Sequence, residues 1–101
     1  MTFSWNRTKN EGIKRDRGIS FERVVVAIES GDILTVLGHP NPDKYPGQKV
    51  YVVEIDRYAW AVPYRDENER RVLITAYPSR RLTRDYLRGA DRNERQLENR
   101  T

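Results

Sequence analysis

Between Ile19 and Gly31 the chain spells out an amphipathic helix that any fold of it must bury on one side. Ser20 is placed to cap this helix, and Ile19 and Val24 occupy the hydrophobic-staple positions around the cap. Phe21, Val24, Val25 and Ile28 then recur at i, i+3, i+4 and i+7, which makes one apolar stripe, and Gly31 ends it. Glu22 in the first turn reads as an acid that offsets the helix dipole. Charged residues are 34% of the chain against 37% hydrophobic, so few other segments can supply the surface this stripe needs. At 101 residues those segments form one domain with a single modest core.

The remaining pattern supplies the partners. Phe3 and Trp5 alternate with polar residues, which suits a short strand with Trp5 in the core. Asn6 caps a charged helix that runs to Gly18 and has little apolar side beyond Ile13. Ile33 to Leu37 reads as a strand, followed by a loop from Gly38 to Gly47 that three prolines keep irregular. Strands are expected at Val50–Ile55 and Tyr58–Tyr64, joined through Asp56-Arg57, with Pro63 marking an edge or a bulge. Asp66-Glu67-Asn68-Glu69 is expected to turn, and Arg71–Ala76 to form the last strand. Ser79 caps a final helix that reaches Leu87 and closes at Gly89. The expectation is an α+β domain over residues 1–89, with an N-terminal strand, two helices, an antiparallel sheet of about four strands and a C-terminal helix. Residues 90–101 have no apolar face and read as a frayed or disordered tail.

Charge is concentrated in two places. Residues 7–17 carry Arg7, Lys9, Lys14, Arg15 and Arg17 against Glu11 and Asp16, and residues 78–88 carry Arg80, Arg81, Arg84 and Arg88 against Asp85. Each is a net +3, and a fold that brings them together makes a phosphate-binding face. Arg80 and Arg81 open a helix, where backbone N–H groups already favour anions. Fifteen of the nineteen basic residues are arginine, a bias that suits bidentate contacts to phosphate or carboxylate. On the proline-rich loop, Lys44 and Tyr45 pair a cation with an aromatic ring able to stack on a base.

The absences narrow the chemistry. No cysteine is present, which excludes disulfides, thiolate zinc sites and cysteine nucleophiles. His39 is the one histidine: no pair of acids stands at a spacing that builds a metal site, and a triad fails because His39 has no nucleophile signature near it. There is no Gly-rich phosphate loop. Neither a secretion signal nor a run of about 18 apolar residues is visible, so a soluble, cytoplasmic protein without a cofactor is expected. What remains is chemistry run by ordinary side chains. RNA brings its own nucleophile, the 2′-OH, so its cleavage needs only a proton acceptor, a proton donor and cations for the charge on phosphate.

Three stretches add a resemblance. Phe3-x-Trp5-Asn6-x-x-Lys9 is similar to an F-x-W-D-x-x-K opening, and Arg17-Gly18-Ile19-Ser20-Phe21-Glu22 to an H-G-V-S-F-E segment, with Arg17 in place of histidine. Pro78-Ser79-Arg80, or Ser79-x-Arg81, followed by Thr83-Arg84, is similar to S-A-R-x-A-T-R. In this order and spacing the motifs resemble the BrnT-like toxins of bacterial type II toxin–antitoxin pairs, which have a RelE-like fold. The resemblance implies a sheet with its helices on one side, a metal-independent endoribonuclease that cleaves mRNA, with or without the ribosome, and an antitoxin encoded by a neighbouring gene. Carried over by position, Lys9 matches a basic residue of the first helix, Arg80 the arginine of the last motif, and Tyr64 falls near a polar ring at a strand end. The expected roles are Arg80 for phosphate charge, Lys9 with Tyr64 or His39 for protons, and Arg17, Lys44, Tyr45, Arg81 and Arg84 for gripping RNA. The rival is a module that binds nucleic acid or protein without cleaving anything, which needs the same cations and no proton-transfer group.

Overall fold

Asn6 and Ser20 start the two N-terminal helices in the way their side chains allow. The computed structural model describes residues 2–88. Helix α1 (Arg7–Arg17) begins where Asn6 Oδ1 accepts the Lys9 amide at 2.9 Å, and ends at Gly18, whose φ of 69° a side chain would oppose. Helix α2 (Phe21–Glu29) begins where Ser20 Oγ accepts the Arg23 amide at 3.1 Å. Buried Asn10 joins the two. Its Oδ1 accepts the Phe21 amide at 2.8 Å, and its Nδ2 donates to Glu22 at 2.7 Å.

The strands are β1 (Thr2–Trp5), β2 (Ile33–Gly38), β3 (Gln48–Ile55), β4 (Tyr58–Glu67), β5 (Arg70–Leu73) and the two-residue β6 (Tyr77–Pro78). They form one sheet in the order β1-β5-β4-β3-β2, with β6 also paired to β4. The sheet is therefore mixed and six-stranded, larger than the antiparallel sheet of about four strands expected, because β1 joins it parallel to β5 and the last strand expected at Arg71–Ala76 is replaced by β5 and β6. The β3–β4 hairpin turns through Asp56 and Arg57, both at left-handed φ, the geometry that matches strand twist in a two-residue hairpin. The turn expected at 66–69 is tighter. Asp66 and Glu67 stay in β4, each opposite an arginine of β5 (Arg71 and Arg70), and only Asn68 and Glu69 remain as the loop.

Pro63 sits in β4, the middle strand, and not at an edge. Its carbonyl accepts the Ile74 amide, so its missing N–H also points toward the β5–β6 side. That side is bulged. Leu73 faces Tyr64 and Tyr77 faces Ala61, so four steps of one strand match three of the other. The extra residue reverses which face later side chains meet.

Because alternate strand residues point to opposite faces, the sheet carries two cores. Tyr51, Val53, Ile55, Val62, Tyr64 and Leu73 meet Ile13, Phe21, Val24 and Ala27 of the N-terminal helices, with Trp5 packed alongside. Val50, Val52, Ala59 and Ala61 meet Leu82 on the other side. Leu82 belongs to α3 (Arg80–Leu82), capped by Ser79 and continued by π-helical turns over Thr83–Arg88. The helices thus lie on both faces of the sheet, where one side was expected, since the 74–76 bulge carries the chain across. The closing residue Gly89 and the expected tail at 90–101 lie outside the described residues. Among those residues no helix is long and apolar enough to cross a membrane.

Candidate nucleic-acid interface

The two basic segments do not share a face. α1 covers the first core and α3 the second, so the sheet stands between the helix that bears Lys9 and the helix that opens with Arg80. The expected convergence of Lys9 and Arg80 on one phosphate is corrected by this geometry. Lys9 is exposed in the first turn of α1. Arg17 is committed elsewhere: its guanidinium donates to the Ala76 carbonyl at 2.8 Å and to Thr75 Oγ1 at 3.2 Å, tying α1 to the bulge.

A different set comes together on the α3 face. There a recess of about 210 Å³ is bounded by Leu37, Gly38 and Pro40 on one side and by Tyr77, Ser79 and Arg81 on the other. Val50, Ala61 and Leu82 form its apolar floor. The recess therefore joins the start of the proline-rich loop to the start of α3. Arg81 is exposed at its rim, and Tyr77 keeps 40% of its surface open, an aromatic side chain of the kind that stacks on a planar base. Sequence reasoning passed over Tyr77. The bulge that turns it outward depends on one extra residue opposite Pro63, and pattern alone does not show that.

The loop beyond the recess is itself organised. The His39 and Tyr45 rings lie 4.4 Å apart, and Lys44 Nζ stands 5.4 Å from the Tyr45 ring centre. Asn41 Oδ1 accepts the Lys44 amide, and the Tyr45 amide donates to the Asn41 carbonyl, so one turn places cation and ring side by side. The Asn41 amide donates to His39 Nδ1 at 3.0 Å. A neutral imidazole that accepts at Nδ1 keeps its proton on Nε2, so the free nitrogen presents an N–H donor.

α3 is held down by Thr83. Its hydroxyl accepts the buried Ala59 amide at 2.8 Å and donates to the Ser79 carbonyl at 2.7 Å. Ser79 Oγ in turn accepts the Leu82 amide. The motif at 79–84 thus has a structural content of its own, two side chains that fix where Arg80 and Arg81 project. Arg80 is exposed beside Arg81, and Arg84 is paired with Asp85 at 3.1 Å on the surface.

Tyr64 lies on the opposite face, 3% exposed, with its ring 4.3 Å from that of Tyr51. Burial, with the nearby Tyr51, pushes its phenol above the ordinary value, so it stays protonated. Arg71 closes over both rings, donates from Nε to Asp66 at 2.9 Å and also donates to the Tyr51 hydroxyl. Neither Tyr51 nor Arg71 was singled out from sequence, because only the cross-strand register brings them beside Tyr64. A larger open depression beside Thr2–Ser4 and Asn68–Arg70 holds none of the expected site residues. Comparison of the chain with family models, with curated proteins and with solved structures finds no match.

Proposed function

We propose that this chain is an RNA-cleaving toxin of a two-gene toxin–antitoxin pair, acting without a metal through the RNA 2′-OH. The observation that supports this most is the recess on the α3 face, where Arg81, Ser79 and Tyr77 meet the loop that carries His39, Lys44 and Tyr45. In this reading Tyr45 and Tyr77 stack on bases, Lys44, Arg80 and Arg81 hold backbone phosphates, and His39 is the proton-transfer group. Cations beside aromatic faces suit a flexible single strand better than a duplex, whose bases are already stacked. Lys9, Arg17 and Tyr64 lie outside this site, Arg17 and Tyr64 in contacts that stabilise the fold. The toxin reading itself rests on the three sequence motifs, and it calls for a partner from a neighbouring gene that masks the recess.

His39 sets the terms of the chemistry. With Nδ1 accepting from Asn41, the ring offers a donor toward phosphate and no free lone pair for the 2′-OH. To act as a base it must release Asn41 and carry its proton on Nδ1. An exposed neutral hydrogen bond contributes about 1 kcal/mol, roughly fivefold in rate, against about 10²–10⁴-fold from a positioned proton-transfer group. The exchange is therefore affordable. The same hydrogen bond favours a second reading, a surface that binds single-stranded RNA and leaves it intact.

One assay separates the two. Purified chain is incubated with single-stranded RNA in EDTA and the products are resolved by their ends. Cleavage leaving 2′,3′-cyclic phosphates, slowed on the order of 10²-fold by His39→Ala, is the expected result. Intact RNA with salt-sensitive binding would sink the ribonuclease and leave the binding module.

A further inference from the structure

The face of the sheet opposite the recess carries a cluster with more donors than acceptors. Tyr51 and Tyr64 stack diagonally across β3 and β4, both 3% exposed, and Arg71 on β5 lies over both rings. The Tyr51 oxygen accepts from Arg71 Nη1, so its own proton has to go to another acceptor. Asp66 takes Arg71 Nε. Among the described residues, the Tyr51 and Tyr64 hydroxyl protons and the Arg71 Nη2 hydrogens have no partner in the hydrogen-bond network. Every buried side-chain nitrogen and oxygen described is paired, so the Tyr64 hydroxyl, which has no partner, reaches solvent.

Donors of this kind, grouped around a fixed guanidinium, match a tetrahedral oxyanion. Burial pulls the Arg71 charge down, but hydrogen bonds to Asp66 and Tyr51 more than offset it, so the cation persists. The Tyr64 phenol is held protonated by burial and so remains a donor near neutral pH. Lys49, cross-strand partner of Tyr64 on the same face, adds a second cation at the margin, while Asp66 is the one carboxylate in the cluster. Its charge is already engaged by Arg71, which leaves the exposed side of the guanidinium for an incoming anion.

We infer that Arg71, Tyr51 and Tyr64 form an oxyanion site for a phosphoryl group, separate from the recess on the other face of the sheet. The class of ligand is a phosphate, either free or as the diester of a nucleic-acid backbone. The inference does not depend on whether the recess cleaves RNA.

The test is titration of the full-length chain with inorganic phosphate, followed by the NMR resonance of the Arg71 Nε–H, so that anions held elsewhere do not register. A 2′-deoxy dinucleoside monophosphate serves as the diester probe. Saturable shifts with a dissociation constant on the order of 1 mM, weakened about tenfold in Tyr64→Phe, are expected. Tyr64→Phe keeps the ring and its packing, and Arg71→Lys, which keeps the charge but loses the fork, should weaken binding as well. Response to the diester at least as strong as to inorganic phosphate identifies a backbone contact. A response to inorganic phosphate alone identifies a small-anion site. No saturable shift with either probe, or equal affinity in wild type and Tyr64→Phe, would overturn the inference.

Discussion

Replacing Thr83 by valine removes one hydroxyl and almost no volume, and it isolates what fixes the C-terminal helix to the sheet. Thr83 is 2% exposed, and Ala59, whose amide it accepts, is fully buried. In the variant the Ala59 N–H loses its acceptor in a place water does not reach, a cost of about 1–3 kcal/mol. The Ser79 carbonyl keeps the Thr83 amide as a donor, so losing the hydroxyl's own bond adds little. A total near 2 kcal/mol is a large part of the roughly 5–15 kcal/mol by which such domains are stable. Each kcal/mol lowers the melting temperature of a domain this size by about 4–8 °C, so Thr83→Val should melt some 8–16 °C lower. Thr83→Ser keeps both hydrogen bonds and should cost about 1 kcal/mol or less. The assay is thermal unfolding by circular dichroism, paired with RNA binding at a temperature where the variant stays folded. A Thr83→Val melt within about 2 °C of wild type, or a Thr83→Ser change as large as the valine one, would refute the reasoning.

Asn10→Ala orphans the Phe21 amide at the base of α2 and should lower stability by about 1–3 kcal/mol in urea; a change below about 0.5 kcal/mol would show that water replaces the side chain. The Asn10 hydrogen bond also holds the Glu22 carboxyl below its ordinary value, so its contribution is present at neutral pH and fades as pH falls through that lowered value. Glu22→Gln should therefore flatten the acid limb of a stability–pH curve, and an unchanged acid limb would contradict it. Tyr64 behaves in the opposite sense: its pKa is raised by burial, so its contribution is complete below pH 10.0 and is lost as pH climbs through the folded-state value. Tyr64→Phe should postpone alkaline unfolding in melts from about pH 8 to about pH 11, and an identical alkaline limb would count against a buried phenol.

Local chemistry made much of the fold legible in the sequence. Asn6, Ser20 and Ser79 each cap the helix that follows, because a short polar side chain before an apolar or charged run has few other uses. The Asp56-Arg57 hairpin and the bulge near Pro63 could be read for similar reasons. What could not be read depends on contacts between distant segments. The parallel pairing of β1 with β5 joins residues near opposite ends of the described chain, and no local signal announces it. The face taken by α3 turns on a single extra residue between Leu73 and Tyr77, which is why charge clustering pointed to a shared surface that the sheet divides. Arg17 reads as a phosphate ligand in the sequence, whereas in the fold its guanidinium donates to the Ala76 carbonyl, a partner 59 residues away. Arg71 drew no notice, since its interest comes from two tyrosines on other strands.

In the proposed function the α3 face, and not the α1 face, meets RNA. The most direct test is the initial rate of RNA cleavage in EDTA by Arg81→Glu measured against Lys9→Glu, two exposed cations on opposite sides of the sheet. Losing a charge-assisted phosphate contact costs about 1.5–3 kcal/mol, so Arg81→Glu should be slower by a factor of about 10–150, while Lys9→Glu stays within about twofold of wild type. Full activity in Arg81→Glu together with loss in Lys9→Glu would contradict the account.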